Sequence, residues 1–131
     1  MSAFSNYLET KIVEHFLQNN AVTSPTAVYL ALFTADPTED GSGPEASFTN
    51  YVRQVATWSN LDTNGQTKNT GSITFPANGN VTASTTITHA AIFDLLSGGN
   101  MLMYGPLATA KTLAPGDILS FSANALTLTL D

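Results

Sequence analysis

The chain carries two histidines, His15 and His89, the groups whose charge can change near neutral pH. A serine nucleophile would need one of them within reach and an acid behind it. No Gly-x-Ser-x-Gly elbow occurs. His15 falls in a predicted helix and His89 in a predicted strand, and no local pattern joins either to a Ser and a carboxylate. Both are expected to be structural or surface residues. Three acids crowd Asp36-Pro37-Thr38-Glu39-Asp40-Gly41, with Glu45 close behind. Oxygen ligands of this kind can hold Ca²⁺. An EF-hand loop needs acids at alternate positions, and Pro37, Thr38 and Glu39 break that spacing. Solvated turn acids are expected there, and no metal; two isolated His make no zinc constellation either. With ten acids a glycosidase-like pair could always be drawn, so such a pair carries no signal. Gly98-Gly99 precedes a predicted strand rather than a helix, and Gly41-Ser42-Gly43 runs into Pro44 and acids, so neither is a phosphate cradle. Asn80-Val81-Thr82 matches the glycosylation triplet, which means little without secretion. Tyr51 and Trp58 could stack on a sugar, but alternation puts at least one of them in the core. No catalytic, cofactor-binding or metal-binding residue is expected, and the chain reads as a non-enzyme.

Composition narrows the field further. The chain has 131 residues, with 4 Lys plus Arg against 10 Asp plus Glu, a net charge of −6. Charged residues make up 11%, against about 25% in an average soluble domain. Four basic residues cannot neutralise many phosphates, so nucleic-acid binding is not expected. There is no Cys, hence no disulfide framework and no thiolate chemistry. Apolar content is 43%, too high for disorder at this charge. The first residues lack a basic n-region and an apolar h-region, so no secretory signal is expected. The longest apolar run, Ala27-Val28-Tyr29-Leu30-Ala31-Leu32-Phe33, is far short of the roughly 20 residues that span a bilayer, so no membrane partner is expected.

The elements that must position these residues follow from periodicity. Phe4, Leu8, Ile12 and Phe16 recur at i, i+4, with Tyr7, Val13 and Leu17 beside them. This predicts one amphipathic helix over residues 4–18, capped by Ser5 or Asn6 and stopped at Asn19-Asn20. Its stripe either packs on its own domain or docks on a partner or sister subunit. Phe4, Leu8, Ile12 and Phe16 are the candidate docking residues. After Pro25 the period becomes 2. Strands are predicted over residues 28–34, 51–58, 72–75, 85–93, 101–104, 117–121 and 126–130, the first of them central and buried on both faces. Residues 36–48 and 59–71 read as surface loops. Ser97-Gly98-Gly99-Asn100 reads as a hairpin turn, and Ala114-Pro115-Gly116-Asp117 as a type II turn. The expected fold is mainly β: one domain over residues 1–131, with a β-rich body over residues 26–131. It forms an antiparallel sandwich or a jelly-roll-like barrel with one N-terminal helix.

Several runs resemble a family of small tailed-bacteriophage virion proteins, often labelled tail-fibre or minor structural proteins. They are Asn6-Tyr7-Leu8-Glu9, the stretch from Val28 to Gly41, Tyr51-Val52-Arg53-Gln54, Thr88-His89-Ala90-Ala91-Ile92-Phe93-Asp94, the stretch from Gly98 to Leu107, Lys111-Thr112 and Gly116-Asp117. The resemblance covers nearly the whole chain and lies in strand and turn motifs. Ser47-Phe48-Thr49-Asn50 departs from a Gly-rich turn usual in the family. Thr85-Thr86-Ile87 departs from a Trp-Gly pair common before the His.

The resemblance implies a structural protein of the virion, assembled in the host cytoplasm, with other capsid or tail proteins as partners. The usual form of such modules leads to the expectation of a homo-oligomer, a trimer. A single compact domain without a shaft favours a capsid decoration, or cement, protein over a tail-fibre or tail-tip component. A receptor- or glycan-binding module is the rival from another class. The low charge fits assembly, since hydroxyls and amides cost less to bury than ions when paired.

Overall fold

The structure, a computed structural model, describes residues 3–130. Nine strands and one helix are described: β1 (Ala3–Phe4), α1 (Asn6–Ile12, continued by a wider π turn over Val13–Leu17), β2 (Val28–Phe33), β3 (Gln54–Ala56), β4 (Gln66–Lys68), β5 (Ile73–Thr74), β6 (Thr85–Phe93), β7 (Met101–Leu113), β8 (Ser120–Phe121) and β9 (Thr127–Thr129). All pairings are antiparallel. The main sheet has the order β1-β7-β6-β2-β3, and two ribbons, β4-β9 and β5-β8, complete the set.

Strand β2 is central because it is apolar on both faces. Leu30 and Leu32 stand opposite Ile92 and Ala90, while Ala31 stands opposite Ala91. Successive residues point to opposite faces. Leu30, Leu32, Ala90 and Ile92 therefore enter one core with Phe75, Ile87, Leu126 and Leu128, drawn partly from the ribbons. Ala31, Phe33, Ala91, Phe93 and Met101 form a second core on the other face. Burying each large side chain contributes about 1.5–3 kcal/mol. Alanines at the sheet centre let both layers approach closely.

The mainly β, antiparallel expectation is met, but the barrel alternative is not: the sheet does not close. Its edges are β1, two residues long, and β3, three residues long, and they do not pair with each other. The helix also starts later than residue 4. Phe4 is in β1, opposite Met103 of β7. Ser5 is the cap: its Oγ accepts from the Leu8 amide at 3.1 Å and donates to the Met101 carbonyl. Asn19, at φ 57, ends the helix in the left-handed conformation that Asn tolerates. In the Ala114-Pro115-Gly116-Asp117 turn, Gly116 has φ 89 and the Asp117 amide donates to the Ala114 carbonyl at 2.9 Å, as the type II geometry requires.

Strand β7 runs well past Tyr104, to Leu113. Its pairing with β6 slips: His89 faces Pro106, yet Ile87 faces Lys111, so residues 107–110 stand opposite Thr88 alone. Beyond Tyr104 no described strand pairs with its outer side.

Candidate functional site

The helix is hooked onto the hairpin end of the main sheet. The Ser5 amide donates to the Leu102 carbonyl at 2.9 Å and the Asn6 amide to the Glu39 carbonyl at 3.0 Å. Leu8 packs on the larger core. Beside the helix lies a cleft of about 590 Å³, walled by Leu8, Ile12 and Phe16 on one side and by Val22, Pro25 and Leu95 on the other. The π turn carries the last apolar residues off the sheet: Phe16 is 74% exposed and Leu17 78%. Such turns recur at functional sites. Leu95 and Leu96, in the β6–β7 turn, are 53% and 49% exposed. Of the four sequence-predicted docking residues, the structure thus gathers Leu8, Ile12 and Phe16 along one groove. Phe4 is separated from them, half-buried on the sheet.

Sequence reasoning missed the groove's second wall and the group that holds it. Arg53 is 7% exposed. Its Nε and Nη2 donate to the two Glu45 oxygens at 2.9 and 2.8 Å, a bidentate pair. Its Nη1 donates to the carbonyls of Leu95 and Gly98 at 2.8 and 2.7 Å. Its guanidinium lies 3.7 Å from the Phe93 ring centroid, a cation–π contact. One side chain thereby latches the turn bearing Leu95 and Leu96 to the loop bearing Glu45. Within that turn Gly99 has φ 73, and an added Cβ would collide with Asp94 and Leu95. Asp94 accepts from the Asn100 amide at 2.7 Å and from its Nδ2 at 3.0 Å. The signal for Arg53 was present: it is the chain's single Arg, in an apolar, alternating segment.

The Tyr51 hydroxyl donates to Glu45 at 2.6 Å and accepts from the Leu32 amide at 3.0 Å. Burial, and then the Glu45 bond, push this phenol far above its ordinary value. Tyr51 and Trp58 both pack on the larger core. His15 Nδ1 lies 3.1 Å from the Asn20 carbonyl and His89 Nδ1 lies 2.8 Å from Thr88 Oγ1. Among the described residues no three His, Cys, Asp or Glu side chains cluster to hold a metal ion.

The acidic loop is organised by its own hydrogen bonds. Asp36 accepts from the Thr38 amide at 2.8 Å. Asp40 accepts from the Thr38 hydroxyl and from the Ser42 amide. The Thr38 bond, then the bonds from Ser42, lower the Asp40 pKa from 3.8 to about 2. A depressed folded pKa means these bonds hold fully above pH 3.8 and are lost as pH falls through about 2. An NMR titration is expected to place the Asp40 midpoint near 2, and Thr38→Val to return it toward 3.8. A wild-type midpoint already at the ordinary value would refute this account of the loop.

The fold defines a β-rich module with an exposed apolar groove between its helix and a latched turn. A family described as Podophage GP4 fiber I protein gp80 matches residues 3–129, and the chain belongs to that family of phage fibre proteins. A comparison with curated proteins returns no match.

Proposed function

We propose that the chain is a non-enzymatic component of a phage particle, of the tail-fibre kind, which assembles with other virion proteins through the groove beside α1. The observation that carries this reading is a fibre-family match running through the helix, both cores and the latched turn. The sequence alone favoured a capsid decoration on grounds of size. The family description supports the fibre alternative better. The proposal includes a homo-oligomer, the trimer expected from sequence.

Quantitative mass spectrometry of purified particles tests the reading. A fibre component is expected at low copy relative to the major capsid protein. Copy numbers close to that of the capsid protein would restore the decoration role. Absence from particles would overturn both.

A further inference from the structure

We infer that Asn64 is a self-modification site, where the side-chain amide is converted to a carboxylate through a cyclic imide formed with Gly65. The same dipeptide at Asn78-Gly79 is held unreactive by the fold. This inference stands apart from the fibre reading.

The chemistry is that of a thermolabile asparagine followed by glycine. The Gly65 amide nitrogen attacks Asn64 Cγ. A Cγ–N bond forms, the Cγ–Nδ2 bond breaks, and ammonia leaves with the proton that the backbone nitrogen gives up. Water then adds to the imide. Opening at the new bond gives aspartate. Opening at the former peptide bond gives isoaspartate, with Cβ now in the main chain. Nothing is oxidised or reduced, and water is the only co-reactant. Glycine matters because it has no Cβ to hinder the attacking nitrogen. The Asn-Gly pair occurs at Asn64 and at Asn78, and every other Asn precedes a residue with a side chain.

The structure separates the two sites. Asn78 is 1% exposed. Its Nδ2 donates to the carbonyls of Ala83 and Leu113 at 3.2 and 2.8 Å, and its Oδ1 accepts from the Asn80 amide at 2.9 Å. The attacking group is engaged too, since the Gly79 amide donates to the Thr49 carbonyl at 2.9 Å. A Cβ at Gly79 would lie 2.5 Å from Asn50 Nδ2, so the backbone there has little room to swing. Asn64, by contrast, is exposed, in the turn that leads into β4. The Gly65 amide donates to the Asp62 carbonyl at 3.2 Å. The amides of Asn64 and Gln66 donate to Asp62 Oδ1 at 2.8 and 3.0 Å. These bonds close over a few residues, so the turn opens without disturbing either core, and such openings cost least. Each opening frees the Gly65 nitrogen for attack.

The product changes the ribbon that follows. The Gly65 carbonyl accepts from the Leu130 amide at 2.7 Å, next to the paired Gln66 and Thr129. Isoaspartate lengthens the main chain just before that carbonyl, and either product places a second carboxylate near Asp62. The end of the β4-β9 ribbon is expected to loosen while Leu126 and Leu128 stay in the core.

The test incubates the full chain in mildly alkaline buffer, folded and in parallel in concentrated urea, and follows both sites by peptide mass spectrometry. In the folded chain, conversion at Asn64 is expected to outpace that at Asn78 about tenfold or more, because Asn78 reacts only from rarer openings. In urea the two rates are expected to agree within about threefold, since the dipeptide is the same and the fold is gone. An isoaspartyl methyltransferase with a labelled methyl donor is expected to mark residue 64 of the aged chain, and Asn64→Ser to lose that mark. Hydrogen exchange at the Leu130 amide is expected to quicken on ageing. Equal rates at the two sites in the folded chain would overturn the proposal. So would an Asn64 that stays unconverted when folded yet reacts in urea. Unchanged exchange at Leu130 in a fully converted chain would overturn the effect on the ribbon.

Discussion

Replacing Arg53 with alanine is expected to lower stability by about 3–5 kcal/mol, the usual cost of removing one partner from a buried ion pair. For a domain of this size that corresponds to a fall of roughly 10–20 °C in melting temperature. The size of the effect follows from what is left behind. Glu45 keeps a half-buried carboxylate with only the Tyr51 hydroxyl to answer it. The carbonyls of Leu95 and Gly98 lose their donor, and the Phe93 ring loses its cover. Lysine would restore the charge but not the planar fork, which spans carboxylate and carbonyls at once, so Arg53→Lys is expected to recover less than half of the loss. Circular dichroism melts decide the matter: a change of less than about 3 °C for Arg53→Ala would show that the latch contributes little.

The second large effect is expected at Asn69, whose side chain is fully buried. Its Nδ2 donates to the carbonyls of Gly71 and Ser122 at 2.8 and 2.9 Å, and its Oδ1 accepts from the Leu126 amide at 2.9 Å. Three backbone groups from two distant stretches thus depend on one amide. Asn69→Ala strands all three, and each buried unsatisfied group costs about 1–3 kcal/mol. After partial relaxation we expect a loss of about 3 kcal/mol, read as a lower urea midpoint. Asn69→Leu, close in volume, should not rescue it, because bonds rather than space are missing. A leucine variant as stable as the parent would contradict this account. Asn78 plays the same part for Ala83 and Leu113.

These two residues mark where the sequence was mute. Strands β2 and β6 were legible because Val28–Phe33 and Thr85–Phe93 announce themselves by unbroken apolar and β-branched runs. The β6–β7 hairpin turn was legible through its glycine pair. Strand β4 was not, since Gln66, Thr67 and Lys68 are all polar and only their pairing with β9 makes them a strand. The far half of β7 was hidden behind Gly105-Pro106, which reads as a breaker. Phe4 fitted the helical stripe by spacing, but Ser5 caps the helix after it. The alternation read over residues 51–58 fails between Arg53 and Gln54: Arg53 is buried, and Val55, two residues on, is exposed. A lone Arg in an apolar segment marks itself out, but the turn it fastens, 42 positions away, is set by the fold and not by any local pattern. The groove was half visible: Leu8, Ile12 and Phe16 came from periodicity, whereas Val22, Pro25 and Leu95 are assembled only by the fold.

The outer side of β7 is the longest unpaired strand margin described. An unguarded margin recruits any extended chain it meets, including copies of itself, and merged sheets lengthen without limit. Here Pro106 withholds an amide, residues 107–110 fall out of step with their neighbours, and Lys111 places an ammonium beside them. Each of these features disfavours pairing of a further strand on this margin. What remains for recognition along this margin is side-chain shape and charge.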